Sequence, residues 1–140
     1  MTTIAWDGKT LAADSLISAG TTAFGTAIKV HKLKDGSYAA FAGRASIWPS
    51  LIEWLNGGEK PVVGEEDSVS VLVVDKKGKA YELEDDLRPA PACVPWAGGS
   101  GQSFALAAMK MGHSAVEAVE VACQLDLASR GPIQEVRIVK

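Results

Sequence analysis

A chain of 140 residues, 47% apolar and 22% charged, has the make-up of an ordinary globular protein and is long enough to bury one substantial core, so a single domain over 1–140 is expected. A net charge of −3 without any sizeable Lys/Arg cluster argues against nucleic acid as the main partner. No apolar run approaches the roughly 20 residues that cross a bilayer, and no basic stretch followed by an apolar core opens the chain, so no membrane partner, no secretory signal and a cytoplasmic location are expected.

Residues 3–6 and 9–14 read as two strands joined at Asp7-Gly8, a favourable hairpin turn. Residues 15–19 and 22–24 suggest a small hairpin around Gly20, and 28–34 with 37–43 another, turned by Asp35-Gly36. In the last of these strands Tyr38, Ala40 and Ala42 share one face, and Ala39 and Phe41 the other. Apolar residues on both faces predict a sheet covered on both sides. A helix is predicted over 45–56, where Ile47, Leu51 and Leu55 recur every four residues beside Trp48 and Ile52. Pro49 fits only its first turn, and Gly57 is a natural stop. Residues 57–67 carry the weakest structural signal. Strands at 68–74 and 79–83 turn at Lys77-Gly78, and a further strand is expected at 92–97. Two helices follow, near 101–111 and 115–129. Ser114 and Glu117 have capping-box spacing at the start of the second, whose apolar face includes Ala115, Val119, Ala122 and Leu125. A strand over 133–139 alternates Val136 and Ile138 against Glu135 and Arg137. Strands, helix, strands, two helices and a final strand predict an α+β fold, either layered αββα or two-layered.

Several residues carry candidate chemistry. Thr2 follows the initiator Met1 directly. Loss of Met1 would give Thr2 a free α-amine, ordinarily titrating near pH ~8, beside its own hydroxyl, whose proton that amine accepts. The plainer reading is that Thr2-Thr3-Ile4 are β-branched residues opening a strand. Gly98-Gly99-Ser100-Gly101 lacks the lysine of a phosphate-binding loop and the glycine spacing of dinucleotide folds. Cys93 and Cys123 form no metal-ligand pattern and read as reduced thiols. His31 and His113 have no metal-like partners. No metal and no cofactor are expected.

The chain resembles the proteasome β-subunit and HslV group of N-terminal nucleophile hydrolases. The resemblance rests on Thr2-Thr3-Ile4, Ala12-Ala13-Asp14-Ser15 with Ser18 and Gly20 behind it, Ile28-Lys29-Val30, Phe41-Ala42-Gly43, Gly99-Ser100-Gly101, and Asp126 with Ser129 and Gly131. Order and rough spacing match from end to end. The resemblance implies a shortened four-layer αββα sandwich and a threonine peptidase or amidase acting on a peptide or protein. It implies Thr2 as nucleophile, Asp14 and Lys29 as a charge pair beside it, and Gly43 as the backbone donor to the oxyanion. Ser100, Asp126 and Ser129 would orient the amine, and Ser18, Gly43 and Ala45 would meet the substrate. Each has a plainer alternative: strand-end charges for Asp14 and Lys29, a junction glycine for Gly43, a helix N-cap for Ser100, and an exposed acid for Asp126. Lys32 is the alternative lysine should the alignment slip. Arg44 departs from the small residue the family carries after the glycine.

The same resemblance implies self-assembly into a ring or stacked rings, with an unfoldase as a further partner. The chain is short for the family, since only residues 57–67 stand where relatives place another helix. Compact versions of this kind are similar to phage-encoded ones, which implies a second reading: a catalytically inactive, self-assembling module in a phage particle.

Overall fold

The computed structural model describes residues 2–64 and 67–140; Glu65 and Glu66, part of the weakly patterned 57–67 segment, and Met1 lie outside them. Period-two alternation along the strands sets the layering. The first sheet contains β1 (Ile4–Trp6) and β2 (Thr10–Ala13), later joined by β10 (Trp96–Gly98) and β11 (Gln134–Arg137), in the order β10-β1-β2-β11. The second contains β5 (Val30–Lys32), β6 (Tyr38–Gly43), β7 (Val69–Val74), β8 (Ala80–Leu83) and β9 (Pro89–Pro91) in chain order. Both are antiparallel throughout. A separate ribbon pairs β3 (Leu16–Ala19) with β4 (Thr22–Thr26), with a register shift between Ile17 and Ser18.

Three apolar cores follow from that alternation. Ile4, Trp6, Leu11 and Ala13 from the first sheet meet Ala40, Ala42, Leu72 and Val74 from the second, filling the space between the sheets. Ala39, Phe41, Val69, Val71 and Val73 point the other way, onto Trp48 and Leu51 of α1 (Trp48–Leu55). On the far side of the first sheet, Ala5 and Ala12 meet Ala105 and Met109 of α2 (Gln102–Lys110) and Ala115, Ala118, Val119 and Ala122 of α3 (Ala115–Leu125). Alanine at both ends of this contact lets the helices lie close to the sheet. The architecture is α+β, with helices on the outer faces of both larger sheets.

Several boundaries differ from those expected. The first turn has three residues, Asp7 to Lys9, because the Asp7 carboxylate accepts the N–H groups of Lys9 and Thr10 at 2.9 and 2.8 Å, so β2 starts at Thr10. The strand expected from residue 28 begins only at Val30, since a side chain takes the Lys29 N–H at 2.8 Å. The helix expected over 45–56 opens with a 3₁₀ turn, Ala45–Ile47, and Pro49 sits in the first turn of α1. Of the strand expected at 92–97 only Trp96 and Ala97 are extended, at the start of β10, and β9 lies wholly before it. Pro89–Pro91 closes the edge of the second sheet, where a missing N–H costs least, and Trp96–Gly98 pairs with β1 in the first. The helix expected over 115–129 stops at Leu125, and Leu125 is 59% exposed rather than part of the apolar face. The Ser114–Glu117 capping box forms as its spacing predicts.

Candidate active site

The N-terminal end of β1 is walled by the turn from β10 into α2. That turn is glycine-rich for a steric reason. A Cβ on Gly99 would lie 2.1 Å from the Thr2 carbonyl oxygen, and one on Gly101 would lie 1.9 Å from Thr3 Oγ1. Gly99 also has φ of +87°. The turn thus brings Ser100 against Thr2, and Gly101 N donates to Thr2 O at 3.1 Å. Ser100 makes no cap for α2, whose N-cap is Gly101. Instead Ser100 Oγ accepts the Thr2 N–H at 3.0 Å and donates to Asp126 Oδ2 at 2.7 Å.

Asp126 ends α3 in extended backbone, φ −92° and ψ 120°. Ser129 Oγ donates to the same Oδ2 at 2.5 Å and stands 2.7 Å from Thr3 Oγ1. With the Ser129 proton given to Asp126, Thr3 is the donor of that pair. Partial burial pushes the Asp126 carboxyl up, but donors from Ser129, Ser100 and the Ala128 N–H more than offset it and hold the acid below its ordinary 3.8.

On the other side of Thr2 stands a buried ion pair. Lys29 and Asp14 are both fully buried, with Lys29 Nζ 2.9 Å from Asp14 Oδ1. The ammonium also donates to the Leu16 carbonyl at 2.7 Å and to Thr2 Oγ1 at 3.0 Å, so its three protons have three acceptors. Asp14 accepts four donors. Thr3 N and Lys29 Nζ meet Oδ1; Leu16 N and Arg130 N meet Oδ2 at 3.2 and 3.0 Å. Burial lowers the Lys29 pKa from its usual value, with Asp14 pulling it back upward. Lys32 is exposed on β5 and stands outside this group.

Thr2, Asp14, Lys29, Ser100, Asp126 and Ser129 therefore form one hydrogen-bonded cluster, in which Thr2 is 1% exposed. The three residues expected to meet substrate lie on other elements. Gly43 ends β6 with φ of +93°, and a Cβ there would fall 2.0 Å from the Ser68 carbonyl oxygen, so packing alone demands glycine. Ser18 lies at the bulge of β3, with its hydroxyl buried and lacking a hydrogen-bond partner among the described residues. Ala45 is exposed in the 3₁₀ turn. Arg44 faces solvent and reaches Asp67 at 3.4 Å. Nearby, burial and the charges of Asp14 and Asp126 push the Cys123 thiol up to about 11, so it stays protonated at neutral pH. Among the described residues no group of His, Cys, Asp and Glu has the makings of a metal site.

Sequence reasoning missed Thr3, Leu16 and Gln134. Thr3 was legible only as a strand residue. Leu16 contributes a backbone carbonyl, which leaves no mark in sequence. Gln134 does leave one, as a polar residue in phase with the inward-facing Val136 and Ile138.

No family model matches this chain, and no curated protein matches it. Among solved structures it is similar to Thiobacillus denitrificans BPH, with a TM-score of 0.73 and 18% identity over 98% of this chain and 97% of that one. It is equally similar to Thiobacillus denitrificans BPH in complex with epoxomicin, with a TM-score of 0.73 and 17% identity over 99% of both chains. At such identity the likeness shows a shared fold across essentially the whole chain.

Proposed function

We propose that this protein is an amide-bond hydrolase of the N-terminal threonine type, built on the αββα sandwich of the proteasome-like hydrolases. One observation carries the reading: Lys29 Nζ donates to Thr2 Oγ1 at 3.0 Å while Thr2 N is held by Ser100 Oγ. Once Met1 is lost, that nitrogen is an α-amine beside the hydroxyl it deprotonates. Asp126, through Ser100, turns the nitrogen lone pair toward the Thr2 hydroxyl. The Lys29 ammonium, anchored by Asp14, stabilises the alkoxide as it forms. Thr2 Oγ1 attacks the amide carbonyl, the amine passes the proton to the leaving nitrogen, and water releases the ester. Gly43 N–H is the proposed oxyanion donor, and Ser18 and Ala45 flank the bound peptide. The epoxomicin complex of the structural neighbour agrees with such a site.

Intact mass of untagged protein, paired with peptide hydrolysis, tests the reading. Protein beginning at Thr2 that cleaves a fluorogenic peptide, with activity lost in Thr2→Ala, is the expected result. Full retention of Met1 removes the base and overturns it.

The non-catalytic assembly reading has its own support: Thr2 is 1% exposed, whereas Phe24 and Leu127 are 71% and 98% exposed. On that reading the buried ion pair is structural and the exposed apolar residues meet another chain. Retained Met1 in a large assembly is its signature.

A further inference from the structure

Gln134, at the start of β11, pairs with Ala13 and so lies beside the strand end that carries Asp14. Its side-chain amide is engaged on both atoms. Oε1 accepts the Lys29 and Val30 N–H groups at 2.8 and 3.3 Å. Nε2 donates to the Ala27 carbonyl at 2.7 Å, to Ser15 Oγ at 2.9 Å and to the Asp14 carbonyl at 3.4 Å. The orientation of the amide follows from its partners: backbone N–H groups can only donate and carbonyls can only accept, so the reverse orientation would set donor against donor.

These bonds join two stretches of chain that belong to different sheets. Asp14 and Ser15 leave β2; Ala27, Lys29 and Val30 lead into β5. The Lys29 N–H that Gln134 takes would otherwise extend β5 by a residue. With it taken, Lys29 keeps only its carbonyl in the ladder, accepting the Phe41 N–H at 3.0 Å, while the side chain runs inward to Asp14 and Thr2. We propose that Gln134 is a positioning residue of this site, fixing the backbone that bears Lys29 against the strand end that bears Asp14 and so setting where the Lys29 ammonium stands beside Thr2. No other natural side chain of this length offers an acceptor and a two-proton donor on adjacent branches; glutamate would turn an oxygen onto the Ala27 and Asp14 carbonyls.

The kinetic consequence rests on the hydrolase reading; the effect on Lys29 does not. The test follows the Lys29 side chain by NMR titration in lysine-labelled protein, parent against Gln134→Met. The charged and titratable groups felt by Lys29 are Asp14 at the end of β2, Cys123 on α3 and Asp126 beyond it. None of these changes in the variant. A looser tether weakens the Asp14 contact that opposes burial, so the Lys29 midpoint should fall by about half a pH unit or more. At saturating peptide, kcat should drop roughly tenfold to a hundredfold with KM nearly unchanged, the mark of a displaced catalytic group rather than a lost binding contact. Should Gln134→Met fail to fold, Gln134→Asn, which keeps the amide but falls one methylene short, is read by the same midpoint. A folded variant with the parent's Lys29 midpoint overturns the proposal, whether or not the parent hydrolyses peptide. A parent that cleaves nothing, with the midpoint shifted in the variant, overturns the hydrolase reading and leaves the role of Gln134 standing.

Discussion

At the scale of residues, the site pairs a buried ion pair with hydroxyls gathered on the Asp126 carboxylate, and the two halves answer differently to substitution. Thr2→Ala removes the proposed nucleophile and one acceptor of Lys29 but little volume; on the hydrolase reading it should abolish peptide hydrolysis and leave the circular dichroism spectrum unchanged. Lys29→Ala does more. It leaves Asp14 buried with a charge and no counterion, a loss of about 3–5 kcal/mol that urea unfolding should read, together with loss of activity. Lys32→Ala, at an exposed position, should stay within about 0.5 kcal/mol of the parent and keep its rate. Asp126 sets a pH dependence. Its folded pKa lies below the ordinary 3.8, so the stability it contributes is complete above that value and is lost as pH falls through the folded pKa. Melting temperatures of parent and Asp126→Asn should therefore differ at pH ~6 and converge as the pH falls below 3.8 and through the folded pKa. A difference that stays constant across that range would contradict this assignment.

At the scale of elements, two single-residue features fix where secondary structure begins and ends. The Ser114 hydroxyl accepts the Glu117 N–H at 3.2 Å while the Glu117 carboxylate accepts the Ser114 N–H at 2.9 Å. Ser114→Ala should cost about 1 kcal/mol, a fall of about 4 °C in melting temperature. The turns at Asp7-Gly8 and Asp35-Gly36 and this cap were legible in sequence because each is a local contest that Asp-Gly or Ser-x-x-Glu decides. The two faces of β6 were legible too, since alternation of Tyr38, Ala40 and Ala42 with Ala39 and Phe41 needs only the strand period. The end of α3 was not. Asp126, Ala128 and Ser129 continue a tolerable helical pattern, and it is the pull of Ser100 and Ser129 on the Asp126 carboxylate that accompanies the turn outward. Nor was the order β10-β1-β2-β11 legible, because β10 and β11 join it from far along the chain, as in Ile4 with Gly98 and Thr10 with Arg137, and no local preference reports on that. The approach of Ser100 to Thr2 was implied by the family resemblance, but no local preference reports it. The steric purpose of the glycines around Ser100 shows only once Thr2 and Thr3 are seen against them.

At the scale of the whole molecule, several large apolar side chains face outward. Leu127 is 98% exposed, Met111 82%, Phe24 71%, Ile28 66% and Leu125 59%. Scattered apolar residues on a surface, such as Met111 and Val62, need no partner, but four of the exposed ones fall close together in the chain as two pairs. Phe24 and Ile28 lie on or just after β4, in a two-stranded ribbon too small to be stable without support. Leu125 and Leu127 lie at the end of α3. The chain segment beyond them reaches the base of that ribbon, where Ser15 N donates to the Arg130 carbonyl at 2.9 Å and Ala27 N to the Ser15 carbonyl at 2.9 Å. A second copy of this chain is the proposed cover. Ribbon and helix end are different surfaces, so a contact of one with the other on the next copy is heterologous and repeats until rotation closes a ring. Light scattering at micromolar concentration should then give a mass several times 14.7 kDa. Phe24→Ser combined with Leu127→Ser should shift that mass toward the single chain while leaving the melting of each subunit's core nearly unchanged, because neither side chain belongs to the three cores. A parent that stays monomeric across a wide concentration range refutes the assembly, and with it the non-catalytic reading of the fold, which has no other source of function.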